Sequence, residues 1–146
     1  MNMQRWRASL VALFFAATPV HSDTPEFWVS KTSAIIYRIS LRGRHLTAKK
    51  VFSSEFESQV EQGAFVRCDY VPQGDAWAGK CESRLPFEVR KDHVKWCKFK
   101  FTSRITLFTP SRIEGQSAVW ANDDVDADKC ELKRSHAQRF IWIPKL

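Results

Sequence analysis

The sequence predicts an all-β domain, a small antiparallel barrel or two-sheet sandwich of about seven or eight strands, and three observations carry that prediction. Apolar residues alternate with polar ones at the two-residue period of half-buried strands in several separate segments. Glycine, proline and aspartate punctuate those segments where hairpins need turns. Four cysteines sit at positions that antiparallel pairing brings together.

Residues 1–22 are set aside from the fold. Arg5 and Arg7, an apolar run from Ala8 to Ala17 and the close Val20-His21-Ser22 read as a cleavable secretory signal. The run is about half of the ~20 residues needed to span a bilayer, and no later stretch approaches that length. The expected product begins at Asp23 and is secreted or periplasmic, with no transmembrane segment after cleavage. Removing 22 of 146 residues leaves 124, the size of one domain, and no repeat or composition break divides residues 23–146.

Taken in order, Asp23 to Ser30 is an extended arm or, through Thr24-Pro25-Glu26, a first helical turn. Ile35, Tyr37, Ile39 and Leu41 then alternate with Ile36, Arg38, Ser40 and Arg42 as a strand that Gly43 ends. Ser53 to Gln62 fits both periods. Phe52, Phe56 and Val60 recur every four residues, with Ser54 and Glu57 as a capping box and Gly63 as a stop, yet the same residues also alternate. The flanking strands tip this segment toward strand, with one short helix as the other outcome.

Phe65 to Val71 and Ala76 to Cys81 flank Pro72-Gln73-Gly74-Asp75, and Gly-Asp suits a two-residue turn. Centring the turn there sets Cys68 opposite Cys81, where a non-hydrogen-bonded pair brings the Cα atoms to about 4.5 Å, within disulfide reach. Of the three pairings that four cysteines allow, this one leaves Cys97 with Cys130.

The clearest strand places Cys97, Phe99, Phe101, Ile105 and Leu107 on a core face and Lys98, Lys100, Thr102, Arg104 and Thr106 on a wet one. Thr109-Pro110-Ser111-Arg112 turns the chain into a strand over Ile113 to Ala121. Arg139 to Ile143, rich in β-favouring residues and stopped by Pro144, is the last strand.

Two of the 23 lysines and arginines lie in residues 1–22, so 21 face 16 acidic residues afterwards, a balance of +5. Such a charge favours anionic partners, an anionic polymer or an acidic protein face, and says nothing about fold. Nucleic acid ranks behind both, because the charge is modest and the expected address is extracytoplasmic. The leading surface candidate is a basic ridge of Lys95, Lys98, Lys100 and Arg104, with Trp96 of the same parity and Phe108 at its far end. Its bland counterpart is an ordinary solvated strand face.

Other constellations are weaker. Asp124-x-Asp126-x-Asp128 opens like a calcium loop, but Lys129 stands where the loop needs glycine and Ser135 where it needs glutamate, so no metal is expected. His45, His93 and His136 belong to no catalytic motif, and the chain has no Gly-x-Ser-x-Gly, His-Glu-x-x-His or Cys-x-x-Cys. No cofactor is expected.

Five tryptophans and nine phenylalanines after residue 22 either build the core or line a cavity, and Trp77 beside the turn is the ring most expected to be accessible. The sequence thus points first to an exported, non-catalytic binding protein. It would capture a protein partner, for instance an enzyme it inhibits, through its basic and aromatic surface. Next comes a carrier of a small apolar or sugar ligand in a barrel cavity, and last an enzyme of unspecified chemistry.

Overall fold

A computed structural model describes residues 24–53 and 57–146, so the expected signal segment and Asp23, with Ser54 of the capping box and Phe56, lie outside the described residues. The alternating segments close into one eight-stranded antiparallel barrel. In chain order its first strands are β1 (Phe27–Ser30), β2 (Ile36–Arg42), β3 (His45–Phe52) and β4 (Phe65–Gln73). They are followed by β5 (Ala76–Arg90), β6 (His93–Thr109), β7 (Arg112–Val119) and, after an intervening segment, β10 (His136–Pro144). Each strand pairs with its neighbour in this order, and β10 closes the ring against β1. The intervening segment holds a small hairpin of β8 (Val125–Asp126) and β9 (Glu131–Leu132).

Two expectations need correction. The segment tipped toward strand carries instead one short helix, α1 (Glu57–Val60), between β3 and β4. Its helical period prevails because the chain here crosses the end of the barrel, where no neighbouring strand offers a ladder. Leu107, assigned to the core by parity, is 40% exposed, because a β-bulge between Ile105 and Leu107 shifts the register. One extra residue reverses which side chains face inward, and Phe108 turns into the barrel to pack 6.0 Å from Trp77.

Both disulfides join the expected partners. Cys68 lies opposite Cys81 in the β4–β5 ladder, Cα atoms 4.0 Å apart, and Cys97 bonds Cys130. The first crosslinks neighbouring strands inside the barrel wall. The second ties the segment between β7 and β10 onto the β5–β6 hairpin, which projects beyond the barrel past the last β4 partner at Arg84.

The two ends of the barrel differ in filling. At the end carrying the β2–β3, β4–β5 and β6–β7 turns, Trp28, Leu46, Ile105 and Ile113 are completely buried. The Trp28 indole N–H donates to the Pro25 carbonyl at 2.7 Å, so its one polar atom is satisfied where the ring plugs the end. Two strand glycines permit tight packing. A Cβ on Gly79 would lie 2.5 Å from the Tyr70 ring, and one on Gly115 would lie 2.6 Å from the Phe140 ring and 2.1 Å from the Arg104 carbonyl. Each aromatic ring therefore lies across the neighbouring strand in space that any side chain would occupy.

At the other end, the projecting hairpin and the clasped segment build a second core from Phe87, Cys97, Phe99 and Val125. Phe99 meets Phe87 edge-on at 5.6 Å and Trp120 at 5.8 Å. This core stands beside the barrel mouth, and Leu85, Phe87 and Trp120 belong to both.

Candidate functional site

The inward-facing residues of an eight-stranded barrel leave room either for packed side chains or for one small ligand. Here the turn end is filled and the opposite end is hollow. A cavity of about 750 Å³ runs from the middle of the barrel to the end carrying α1 and the β1–β2 connection.

Its floor is Tyr70, Ser103 and Cys68. The Tyr70 hydroxyl donates to Ser103 Oγ at 2.8 Å, and Ser103 Oγ donates to the Gln116 carbonyl at 3.3 Å, so the buried hydroxyls are satisfied in a chain. One wall is a ring stack. Trp142 lies 4.4 Å from Tyr37 on one side and 4.4 Å from Phe140 on the other, both nearly parallel to it. Another wall is Phe101 with Trp120 edge-on at 5.2 Å. Burial pushes the Tyr37 hydroxyl up to about 12 and raises Tyr70 further, so both remain neutral through the physiological range.

A polar row crosses the interior between these walls. Ser103 of β6, Ser117 of β7 and Gln138 of β10 sit side by side in register, all at inward positions and all on the cavity. The mouth adds Ser30, Thr32, Ser33, Ser53, Gln59 and Asn122, a rim of hydroxyls and amides, with Lys50 pointing the same way as Ala48. Apolar walls with a few convergent polar groups are the usual make-up of a small-molecule pocket. Among the described residues, no carboxylate, imidazole or free thiol lines this one.

The sequence-derived candidates lie elsewhere and separate into groups. Lys98, Lys100 and Arg104 share the outer face of β6, all exposed. Lys98 approaches Glu82 at 3.8 Å. Trp96 shares their parity but is half-buried, with the Arg84 guanidinium 4.3 Å from its ring centre. Lys95 stands apart on the opposite parity, on the projecting part of the hairpin, where its amine donates to the Asp128 carbonyl of the clasped segment. Phe108 is taken out of the ridge by the bulge, and Trp77 is half-buried at the filled end, remote from the mouth.

The acidic loop is engaged with its own neighbours. Asp124 accepts from the Ala121 backbone N–H at 2.9 Å and from Arg134 at 3.0 Å, and Asp126 accepts from the Lys129 N–H at 3.2 Å. The Ala121 hydrogen bond, with Arg134 nearby, holds the Asp124 carboxyl below its ordinary range although burial opposes this. Of the three histidines, His45 has a side-chain partner among the described residues, Asp69 at 3.4 Å on the outer wall.

Sequence reasoning missed the cavity residues, although a signal was present. Ala48, Ser103, Ser117 and Gln138 are small or polar at positions whose parity is that of the core. Such residues on an inward face leave a hollow that larger apolar ones would fill.

Fold and site together define a class: a disulfide-stapled, up-and-down β-barrel plugged at one end and hollow at the other. No protein-family model matches the chain, and searches of curated proteins and of solved structures find no significant match either.

Proposed function

We propose that this protein is a non-catalytic carrier that holds one small amphipathic molecule in the open end of its barrel. The observation that carries the reading is the cavity of about 750 Å³, lined by stacked rings and crossed by the polar row Ser103, Ser117 and Gln138. Rings offer apolar and π-stacking surface to a flat or aliphatic body, while hydroxyls and amides at the mouth orient a polar end. Rings, hydroxyls and amides dominate the lining, with Lys50 and Arg139 among its charged members, a make-up that supports holding an amphipathic molecule. A barrel fixed by two disulfides also suits a carrier, because a preformed cavity needs little ordering when the ligand enters. Export of the protein, expected from residues 1–22, would place such a carrier outside the cytoplasm.

The test uses the two tryptophans that line the cavity, Trp120 and Trp142, as reporters. Titrating the oxidised protein with anilinonaphthalene sulfonate, a medium-chain fatty acid and a disaccharide should give saturable quenching with at least one of them. Ser117→Trp, which puts bulk into the middle of the hollow, should weaken that binding at least tenfold with little loss of stability. Saturable binding that Ser117→Trp leaves unchanged would place the ligand elsewhere and overturn the reading, as would no binding by a broad panel of amphipathic molecules.

A further inference from the structure

We infer that the outer wall of the barrel over β2 to β6 is a docking surface for a flexible anionic polysaccharide. This surface lies on the opposite side of the strands from the cavity and does not depend on the carrier reading.

The register fixes which cations share the wall. Arg38, Lys49 and Arg67 lie side by side on β2, β3 and β4, with Arg42 further along β2. Arg84 lies beside Lys98 on β5 and β6, with Lys80, Lys100 and Arg104 at alternate outward positions of the same two strands. Up to the level of Arg84, these nine cations meet three carboxylates, Asp69 and Glu82 on the face itself and Glu26, which pairs with Arg38 at its edge. The wall's excess of six is larger than the +5 of all residues 23–146, so the rest of that stretch carries no net positive charge. The charge of this protein is therefore concentrated on one side.

The three carboxylates are already engaged, Glu26 with Arg38. Asp69 accepts from Arg67, Thr47 and His45, and Glu82 lies by Lys98. Burial raises the Asp69 carboxyl, but hydrogen bonds from Arg67, His45 and Thr47 outweigh it and hold the group ionised well into acid. Arg42, Lys49, Lys80, Lys100 and Arg104 pair with no carboxylate among the described residues. Adjacent strands lie about 4.8 Å apart, so the cations form short cross-strand rows, Arg38–Lys49–Arg67 and Arg84–Lys98, with Asp69 and Glu82 standing among them.

Curvature and chemistry select the partner. Five of the eight barrel strands carry these cations, more than half the circumference, so a flat bilayer would touch only part of the wall while a flexible chain follows the curve. A single-stranded nucleic acid would want exposed rings for its bases, whereas the rings on this wall, Phe65 and Trp96, are half-buried and Arg84 covers Trp96. Carboxylated or sulfated sugars need only the cations. Binding should accordingly be electrostatic and steeply dependent on salt.

The experiment measures retention and affinity of the full chain, both disulfides formed, on heparin and on polygalacturonate. The intact protein should bind and lose at least tenfold in affinity between 50 and 200 mM salt, an order-of-magnitude expectation for several released counterions. Lys98→Glu, Lys100→Glu and Arg104→Glu together should weaken binding at least tenfold. Lys31→Glu, Lys129→Glu and Lys133→Glu, an equal change in net charge away from the wall, should leave it within about twofold. If the reversed ridge misfolds, the glutamine versions of the same three positions give the same ordering with a smaller loss. Equal losses in the two triple variants would show that net charge alone acts and overturn the proposal. It fails equally if anionic lipid vesicles or single-stranded DNA bind more tightly than either polysaccharide.

Discussion

The plugged and hollow ends of the barrel are built by the same strands, yet they are held by different means. At the plugged end, the large apolar side chains of Trp28, Leu46, Ile105 and Ile113 are fully buried in the lumen. At the hollow end, several inward positions are small or polar, and the Cys97–Cys130 bond ties a clasped segment to the projecting hairpin beside the mouth. Burial of apolar area stabilises the first end, while a covalent link and a satellite core support the second. The difference teaches that stability and binding capacity are placed at opposite ends of one set of strands.

The sharpest way to break that division is to open the plug. Trp28→Ala should cost about 4 kcal/mol, since it removes a fully buried indole from a lumen that cannot collapse around the gap. Chemical denaturation would read this as a large fall in midpoint. A loss under 1 kcal/mol would show that the plugged end does not carry the fold.

Replacing Cys97 and Cys130 together with alanine should cost about 3 kcal/mol. It should also weaken ligand binding at the mouth more than Trp28→Ala does, because the clasped segment brings Trp120 to the cavity. Equal effects on binding from the two variants would contradict the separation of roles.

Ser83 sharpens the comparison in the other direction. Its hydroxyl is 1% exposed and has no hydrogen-bond partner among the described residues, between Val66 and Phe99 in the ladder. Ser83→Ala should raise stability by about 1 kcal/mol, a gain of a few degrees in thermal midpoint, by removing an unpaired buried polar atom. An unchanged or lower midpoint would mean that this hydroxyl is satisfied in solution.

The smallest effect expected is acid sensitivity of the outer surface. Hydrogen bonds from Arg139 and then Arg112 hold the Glu114 carboxyl below its usual range. Its folded pKa is depressed, so its contribution is present above the unfolded value of about 4.3 and is lost as pH falls through the lower folded value. Glu114→Gln should therefore flatten the decline in thermal midpoint below about pH 4 while leaving the cavity's binding unchanged. An identical acid limb in the variant would remove Glu114 from the account.

Much of the fold was legible because strand pattern and turn chemistry are local. Alternation at Ile39 and Leu41 and at Cys97, Phe99 and Phe101 fixed inward parity, and the turn at Gly74-Asp75 fixed the register that joins Cys68 to Cys81. Leu107 and Phe108 escaped that reading because a bulge adds a residue without leaving a distinct sequence mark. Lys95 was legible as an outlier, since its odd position sets it on the opposite parity from Lys98, Lys100 and Arg104, and only its partner, the Asp128 carbonyl more than thirty residues away, needed the tertiary structure. The basic face of β6 was readable from one strand, while its continuation across β2 to β5 required the register of the whole barrel.

By itself, then, the sequence determined that this chain is all β, which side chains turn inward on most strands, and which cysteines pair, because periods of two and tight turns act over a few residues. Only the tertiary structure decided that the sheet closes into a ring, that one end is plugged by Trp28, and that Ser103, Ser117 and Gln138 line a common hollow. The physical reason is that a cavity is a deficit of volume summed over strands remote in sequence, and no single strand's pattern records that sum.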